Sequence, residues 1–385
     1  MEVSIAVADA VKLCDVDVIS AYPITPQTHI VEHLSELVAN GDLDAEFIPV
    51  ESEHSAISVG AGSSAVGARV YTATSAQGLA LMHEILFIVS AMRLPIVMTV
   101  VNRSLSAPIS IWNDHSDIMA ERDIGWIQTF AINGQESYDL TFHAFKVAED
   151  KRVQLPVAVN LDGFTVSHVI EPIEITQKEI VDRYLPPRKP ILALHPDKPV
   201  AMGPLGIPEI YTEARKQLEV ALIESKQVII EEWQKFARIF GRNYSPIGSY
   251  RSEEAELIFV TMGSITETAM SAVDELRDKG EKVGLVYIRL WRPFPHIEFQ
   301  TAIKGAKVLA VLDRAITYGA NQGPVYSEVR SALYDMPKRP KVQGFVVGLG
   351  GRDVPVERFF EVAEMARTAK KEKMPQYIHL DAKED

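Results

Sequence analysis

The sequence predicts an α/β protein made of two parallel-sheet units of unequal size joined by an irregular segment. Three observations carry that expectation. Residues 1–170 alternate apolar runs of strand length with segments of helix length, residues 171–250 are broken by prolines, and residues 251–385 resume the alternation over a shorter span. Strands separated by helices of this length pair in parallel, with both faces of the sheet covered. At 385 residues the chain is also too long for one ordinary core.

In the first unit residues 16–21 read as a strand. Residues 28–39 read as an amphipathic helix with Ile30, Leu34, Leu37 and Val38 on one face and Asn40-Gly41 as its stop. Then follow a short strand at 46–50, a Gly/Ala/Ser-rich helix at 55–68, a strand at 70–74, a helix at 78–92 and an apolar strand at 96–101. The loop 102–117 is too long for a simple connection, which marks it as functional. Residues 126–132, 138–149 and 157–161 continue as strand, helix and strand. Between Pro172 and Pro208 eight prolines exclude regular sheet. That segment is expected to lie extended over the first unit, before a helix at 209–240. In the second unit strands are expected at 257–261, 283–289, 308–312 and 342–347, with a helix at 266–278 closed by Gly280. Three or four parallel strands follow from that count.

Composition bounds the function. A net charge of -13, scattered along the chain, disfavours nucleic acid as a partner. No apolar stretch approaches the ~20 residues that span a bilayer. The N-terminus has no basic region before an apolar run, so a cytoplasmic location is expected. Cys14 is the single cysteine, which excludes an internal disulfide and any iron–sulfur cluster held by this chain alone. It sits in the apolar run 11–18 and reads as core. If the chemistry is redox, electrons must leave through another subunit.

Two runs carry the strongest site signal. Ala21-Tyr22-Pro23-Ile24-Thr25-Pro26-Gln27-Thr28 ends an apolar strand and turns into a helix, so Thr25 and Thr28 lie at a strand end. Glu51-Ser52-Glu53-His54 places an acid at the start of the next helix. Such an acid can be a plain dipole partner. Here Gly60, Gly62, Ser63, Ser64 and Ala65 clear room for a flat ring or another subunit beside it. Arg103 directly follows a strand and suits a substrate carboxylate. Asn113-Asp114-His115-Ser116-Asp117 has metal-like residue types but no metal-ligand spacing, so it reads as loop-ordering hydrogen bonds. No HExxH, GxSxG or triad pattern occurs. Gly348-Leu349-Gly350-Gly351-Arg352-Asp353 suggests a dinucleotide loop but lacks the GxGxxG spacing.

Together these residues resemble the alpha subunits of the 2-oxoacid:ferredoxin oxidoreductases, most of all those of the pyruvate:ferredoxin type. The resemblance covers nearly the whole chain. Its blocks include AYPITPQT at 21–28, VESEHSAIS at 50–58, TATSAQGLALMHE at 72–84, NRSLSAPISIWNDHSD at 102–117, LDGFTVSH at 161–168, RPFP at 292–295 and GFVVGLGGRD at 344–353. It implies a pyrimidine-type thiamine diphosphate-binding domain over 1–170, a Pro-rich connector and helix over 171–250, and a transketolase C-terminal-like domain over 251–385. Glu53 matches the glutamate that hydrogen-bonds the aminopyrimidine ring, and Pro23, Ile24 and Gln77 match further cofactor contacts. Thr25, Arg103 and Ile111 match the substrate side, with Ile111 and Trp112 as an apolar wall. No metal ligand is implied on this chain. Mg2+ and the diphosphate are expected with a beta subunit, 4Fe-4S clusters with gamma and delta subunits, coenzyme A as co-substrate and ferredoxin as electron partner. The implied reaction is reversible oxidative decarboxylation of pyruvate to acetyl-CoA. Alternatives are the same chemistry on 2-oxoisovalerate, phenylglyoxylate or oxalate, and a nicotinamide-dependent dehydrogenase.

Overall fold

The computed structural model describes residues 1–368 and 377–382. It opens with α1 (Val3–Leu13), a helix that the sequence reading passed over. Its small apolar residues run almost all the way round, so no amphipathic stripe marks it, and Val3, Ala6, Val7, Ala10 and Val11 are all buried. Cys14 ends this helix in the core, where burial pushes its thiol up and makes it a poor nucleophile.

The first sheet then builds in βα units. Its elements are β1 (Val18–Ala21), α2 (Thr28–Ala39), β2 (Glu46–Pro49), α3 (Glu53–Ala65), β3 (Val70–Thr74) and α4 (Ala76–Ala91). They continue with β4 (Ile96–Asn102), α5 (Ser116–Ala120), β5 (Ile127–Phe130), α6 (Gly134–Ala148) and β6 (Val157–Asp162). Every pair among β1 to β6 is parallel, as the alternation requires. β3, β4, β5 and β6 are buried along their whole length, including polar residues such as Thr72, Gln128 and Asn160.

The connector holds α7 (Lys178–Tyr184) and α8 (Pro208–Phe240). Its extended part lies on the first unit: Leu194 N–H donates to Ala65 O at 2.8 Å, and Arg188 Nη2 to Ser64 O at 3.3 Å. Pro208 starts α8 and Gly241, in the left-handed region at φ 78°, ends it. The C-terminal half of α8 buries Val228, Ile229, Trp233 and Phe236, and His143 of α6 stacks on Trp233 at 4.6 Å.

The second sheet is larger than the sequence suggested. It contains β7 (Ile247–Tyr250), β8 (Leu257–Thr261), α9 (Ile265–Asp278) and β9 (Val283–Ile288). After β10 (Leu290–Arg292) and α10 (His296–Ala302) come β11 (Val308–Asp313), α11 (Pro324–Leu333), β12 (Lys341–Val346), α12 (Val356–Thr368) and β13 (Tyr377–His379). Six strands order as β13-β12-β11-β8-β9-β7, with β7 antiparallel at one edge. The two edge strands are short, so neither shows a long apolar run.

β10 departs most from the sequence reading. It leaves its own unit and pairs antiparallel with β5, giving the first sheet seven strands in the order β10-β5-β6-β4-β3-β1-β2. One cluster of buried apolar side chains consequently runs from Met98, Val100 and Trp126 to Ile258, Val260, Trp291 and Val311. The two sheets share this core.

Candidate active site

β4, β3, β1 and β2 lie side by side, and each carries a candidate residue just past its carboxyl end. After β2, Ser52 caps α3 by accepting from Ser55 N–H at 3.3 Å. That cap fixes Glu53 as the first helical residue, and it is only 6% exposed. Its carboxylate accepts no hydrogen bond among the described residues. Glu51, the neighbouring acid, is exposed and bound by Ser55 Oγ, which lowers its pKa.

Opposite Glu53, α4 carries Gly78 at its third position. A Cβ there would stand 2.5 Å from Glu53 Oε1 and 2.6 Å from Thr74 Oγ1, so only glycine lets both side chains pack this closely against α4. Thr74 Oγ1 and Ser75 Oγ are buried and unpartnered. Unpaired polar atoms this deep are costly unless a ligand completes them. Gln77, half-buried, stands at the same turn. Sequence reasoning passed over Thr74, Ser75 and Gly78, although a glycine two residues into a helix is itself a signal of close approach.

The turn after β1 is braced from inside. Gln27, fully buried, donates through Nε2 to Tyr22 O at 2.8 Å and leaves Oε1 unpaired. Pro23 and Thr25 are exposed and Ile24 is half-buried. Arg103, past β4, reaches across: Nη1 donates to Thr25 O at 3.0 Å and Nε to Ser110 O at 2.8 Å. Nη2 has no partner among the described residues. The contact to Thr25 uses its carbonyl, so its hydroxyl remains available. Burial lowers the Arg103 pKa, against a smaller opposing effect of Asp117. Ile111 and Trp112 are 42% and 52% exposed, and Trp112 packs on Phe164 at 4.8 Å.

Asp117 ties these ends together. Its Oδ2 accepts from Arg103 N–H at 2.9 Å and Ala76 N–H at 3.1 Å, and its Oδ1 accepts from Asn102 Nδ2 at 3.0 Å and Ile118 N–H at 2.8 Å. Burial raises its pKa to about 7 despite these donors. The same loop hydrogen-bonds itself through Asp114, which accepts from Ser104 Oγ at 2.7 Å and Ser116 N–H at 2.9 Å. His115 Nε2 meets Asp162 Oδ1 at 2.8 Å, and Arg314 Nη1 meets Asp162 Oδ2 at 2.7 Å. Burial alone would raise the Asp162 carboxyl, but Arg314 and His115 hold it well below the usual range. Asn113–Asp117 thus orders the loop. Elsewhere, Glu2, His29 and His168 bring ligand-type atoms within 4.8 Å of one another, joined by a 2.6 Å contact between His29 Nδ1 and Glu2 Oε1.

A sheet that gathers a buried acid and an arginine past the carboxyl ends of its parallel strands defines a ligand-binding α/β protein. Comparison with known proteins narrows the class. The family model for pyruvate flavodoxin/ferredoxin oxidoreductase, thiamine diphosphate-binding, matches residues 9–234, and that for pyruvate:ferredoxin oxidoreductase core domain II matches residues 255–359. The chain belongs to this family, and is an enzyme subunit of the thiamine-dependent 2-oxoacid:ferredoxin oxidoreductases.

Among relatives, pyruvate synthase subunit PorA of Methanocaldococcus jannaschii is 50% identical over 355 residues, covering 91% of this chain and 90% of the relative. PorA of Pyrococcus furiosus is 49% identical, covering 97% and 94%. Ketoisovalerate oxidoreductase subunit VorA of Pyrococcus abyssi is 44% identical, covering 97% and 96%. A solved 2-oxoglutarate:ferredoxin oxidoreductase from Magnetococcus marinus shares the fold with a TM-score of 0.71 at 20% identity. The match covers 95% of this chain but 64% of that one. A split-gene transketolase shares it with a TM-score of 0.58 at 12% identity, covering 96% and 98%.

Proposed function

We propose that this chain is the alpha subunit of a multi-subunit pyruvate:ferredoxin oxidoreductase. The reaction is reversible: pyruvate and coenzyme A give acetyl-CoA, carbon dioxide, a proton and two electrons for ferredoxin. The observation that carries this reading is the buried Glu53 side chain, which packs against Gly78 and meets no donor among the described residues. Thiamine diphosphate, when bound, supplies the carbon chemistry that no side chain can. Glu53 would orient the pyrimidine ring by hydrogen-bonding it, with Gln77, Pro23 and Ile24 as further contacts of the cofactor. Arg103 grips the substrate carboxylate through Nη2, the Thr25 hydroxyl meets the keto oxygen, and Ile111 faces the methyl group.

The remaining parts belong to partners. A beta subunit holds the diphosphate and its Mg2+, and gamma and delta subunits hold the 4Fe-4S clusters. Cys14, buried in the core, cannot ligate a cluster by itself. No described helix is long and apolar enough to cross a membrane, which fits a cytoplasmic complex. The similarity to a VorA chain favours one second reading, the same chemistry on 2-oxoisovalerate.

Coenzyme A-dependent viologen reduction by the native complex, purified through a tag on this chain, tests the proposal. Pyruvate, 2-oxoglutarate, 2-oxoisovalerate, phenylglyoxylate and oxalate are compared in parallel. The highest kcat/KM is expected with pyruvate. A preference for a branched or aromatic acid would overturn the substrate while keeping the thiamine chemistry.

A further inference from the structure

The Gly348–Asp353 turn has no part in the chemistry described above, yet it lies directly against the loop of residues 104–117. Gly351 N–H donates to Asn113 O at 2.7 Å, and Gly350 N–H to Asp114 Oδ2 at 3.2 Å. Arg314, just past β11, adds a second strap. Its Nη2 donates to Asn113 O and Gly348 O at 3.3 Å each, and its carbonyl accepts from His115 N–H at 2.8 Å. On its other side the same loop holds Arg103 through Ser110 O. Trp112 lies between these contacts, with its carbonyl accepting from Ser104 N–H at 3.0 Å.

Contact at this point is tight. A Cβ on Gly351 would stand 2.4 Å from Trp112 Cβ, closer than any real contact. Gly350 differs in one respect only. Both glycines occupy the left-handed region, at φ 61° and 75°, but a Cβ on Gly350 would meet only Ser110 Oγ, at 3.8 Å. The two positions therefore carry similar backbone strain and very different steric consequences.

We propose that this turn of the second unit is a specificity determinant: it backs Trp112 and Ser110 and so sets where the apolar wall stands against the 2-oxoacid side chain relative to Arg103, which holds its carboxylate. The inference rests on the reading of Arg103 and Ile111 as substrate residues. Gly350, Gly351 and Arg314 are positioning residues, because they act through the loop and touch no substrate.

The test uses the native complex carrying Gly351→Ala, Gly350→Ala or Arg314→Lys. It reads kcat/KM for pyruvate and 2-oxoisovalerate, with thiamine content and subunit composition as controls. Gly351→Ala is expected to change the ratio of the two values about tenfold, the scale at which pockets discriminate one or two methylenes. Gly350→Ala should change it much less. Arg314→Lys keeps a charge opposite Asp162 but loses the planar fork, and is expected to shift the ratio without adding bulk at Trp112. Equal losses on both acids in Gly351→Ala, or an equal ratio shift in Gly350→Ala, would overturn the proposal. If Gly351→Ala does not assemble, an unchanged ratio in Arg314→Lys overturns it instead. Arg103→Lys separates the two levels of the argument. An unchanged KM for pyruvate there sinks the substrate reading, whereas a raised KM beside an unmoved Gly351→Ala ratio sinks this inference alone.

Discussion

Both sheets place a buried carboxyl at or just past the end of a strand and against the first turn of a helix, and use it in opposite ways. In the second unit Asp313 ends β11 and accepts from Val325 N–H at 2.8 Å and Tyr326 N–H at 3.1 Å, the first turn of α11. Gly323 closes in on it so tightly that a Cβ would stand 2.2 Å from the carboxyl. Its hydrogen-bonding capacity serves its own fold. In the first unit Glu53 starts α3, yet its carboxylate meets no donor among the described residues, although it packs closely against Gly78. Architecture alone therefore does not mark a site. What sets Glu53 apart is a carboxylate that no described donor meets, at the same end of the sheet as Arg103.

The largest expected effect breaks this contrast at Glu53. Glu53→Gln should lower turnover by about 10²- to 10⁴-fold, the range for loss of a positioned acid–base group, while the complex still assembles. Near-normal viologen reduction in that variant would remove Glu53 from the reaction. Next comes the close contact of Gly78 with Glu53, which a methyl group would displace. Gly78→Ala is expected to weaken thiamine diphosphate binding about tenfold, from the 1–3 kcal/mol typical of overpacking, with KM for pyruvate little changed. Equilibrium binding of the cofactor to the depleted complex reads this directly, and unaltered affinity would show that the cofactor lies elsewhere.

Asp313→Asn addresses the other half of the comparison. It should cost about 1–3 kcal/mol of stability, because an amide leaves its own donors unpaired in the core. Turnover per assembled complex should stay the same, and a selective loss of activity at unchanged stability would place Asp313 in a functional role. The smallest effect is on pH dependence. Burial pushes Asp117 and Asp313 up to about 7, so the folded chain keeps protons that the unfolded chain releases above about pH 4. Stability in denaturant is then expected to rise as pH falls from above 7 toward 4. Below that Asp162 reverses the trend, since Arg314 and His115 keep it ionised in the fold while the unfolded chain takes up a proton. A flat profile between pH 7 and 4 would count against the two raised carboxyls.

Local periodicity determined much of this protein from its sequence. The strand at 257–261 and the long helix over 209–240 were legible because apolar spacing and flanking Pro or Gly act within a few residues. Thr25, Glu53 and Arg103 stood out because alternation fixes which residue follows each strand, and the strand order then sets their sheet ends side by side. α1 was missed because an all-round apolar helix has no stripe, and β10 because three residues following β9 look like its continuation. Only the tertiary structure decided that Glu53 stays unpaired, that Asp117 joins the ends of β3 and β4, and that Gly351 backs Trp112. Those contacts link residues far apart in the chain, and the sequence near each of them contains no trace of its partner. Their energies come from burial and mutual geometry, which exist only once the sheets have packed.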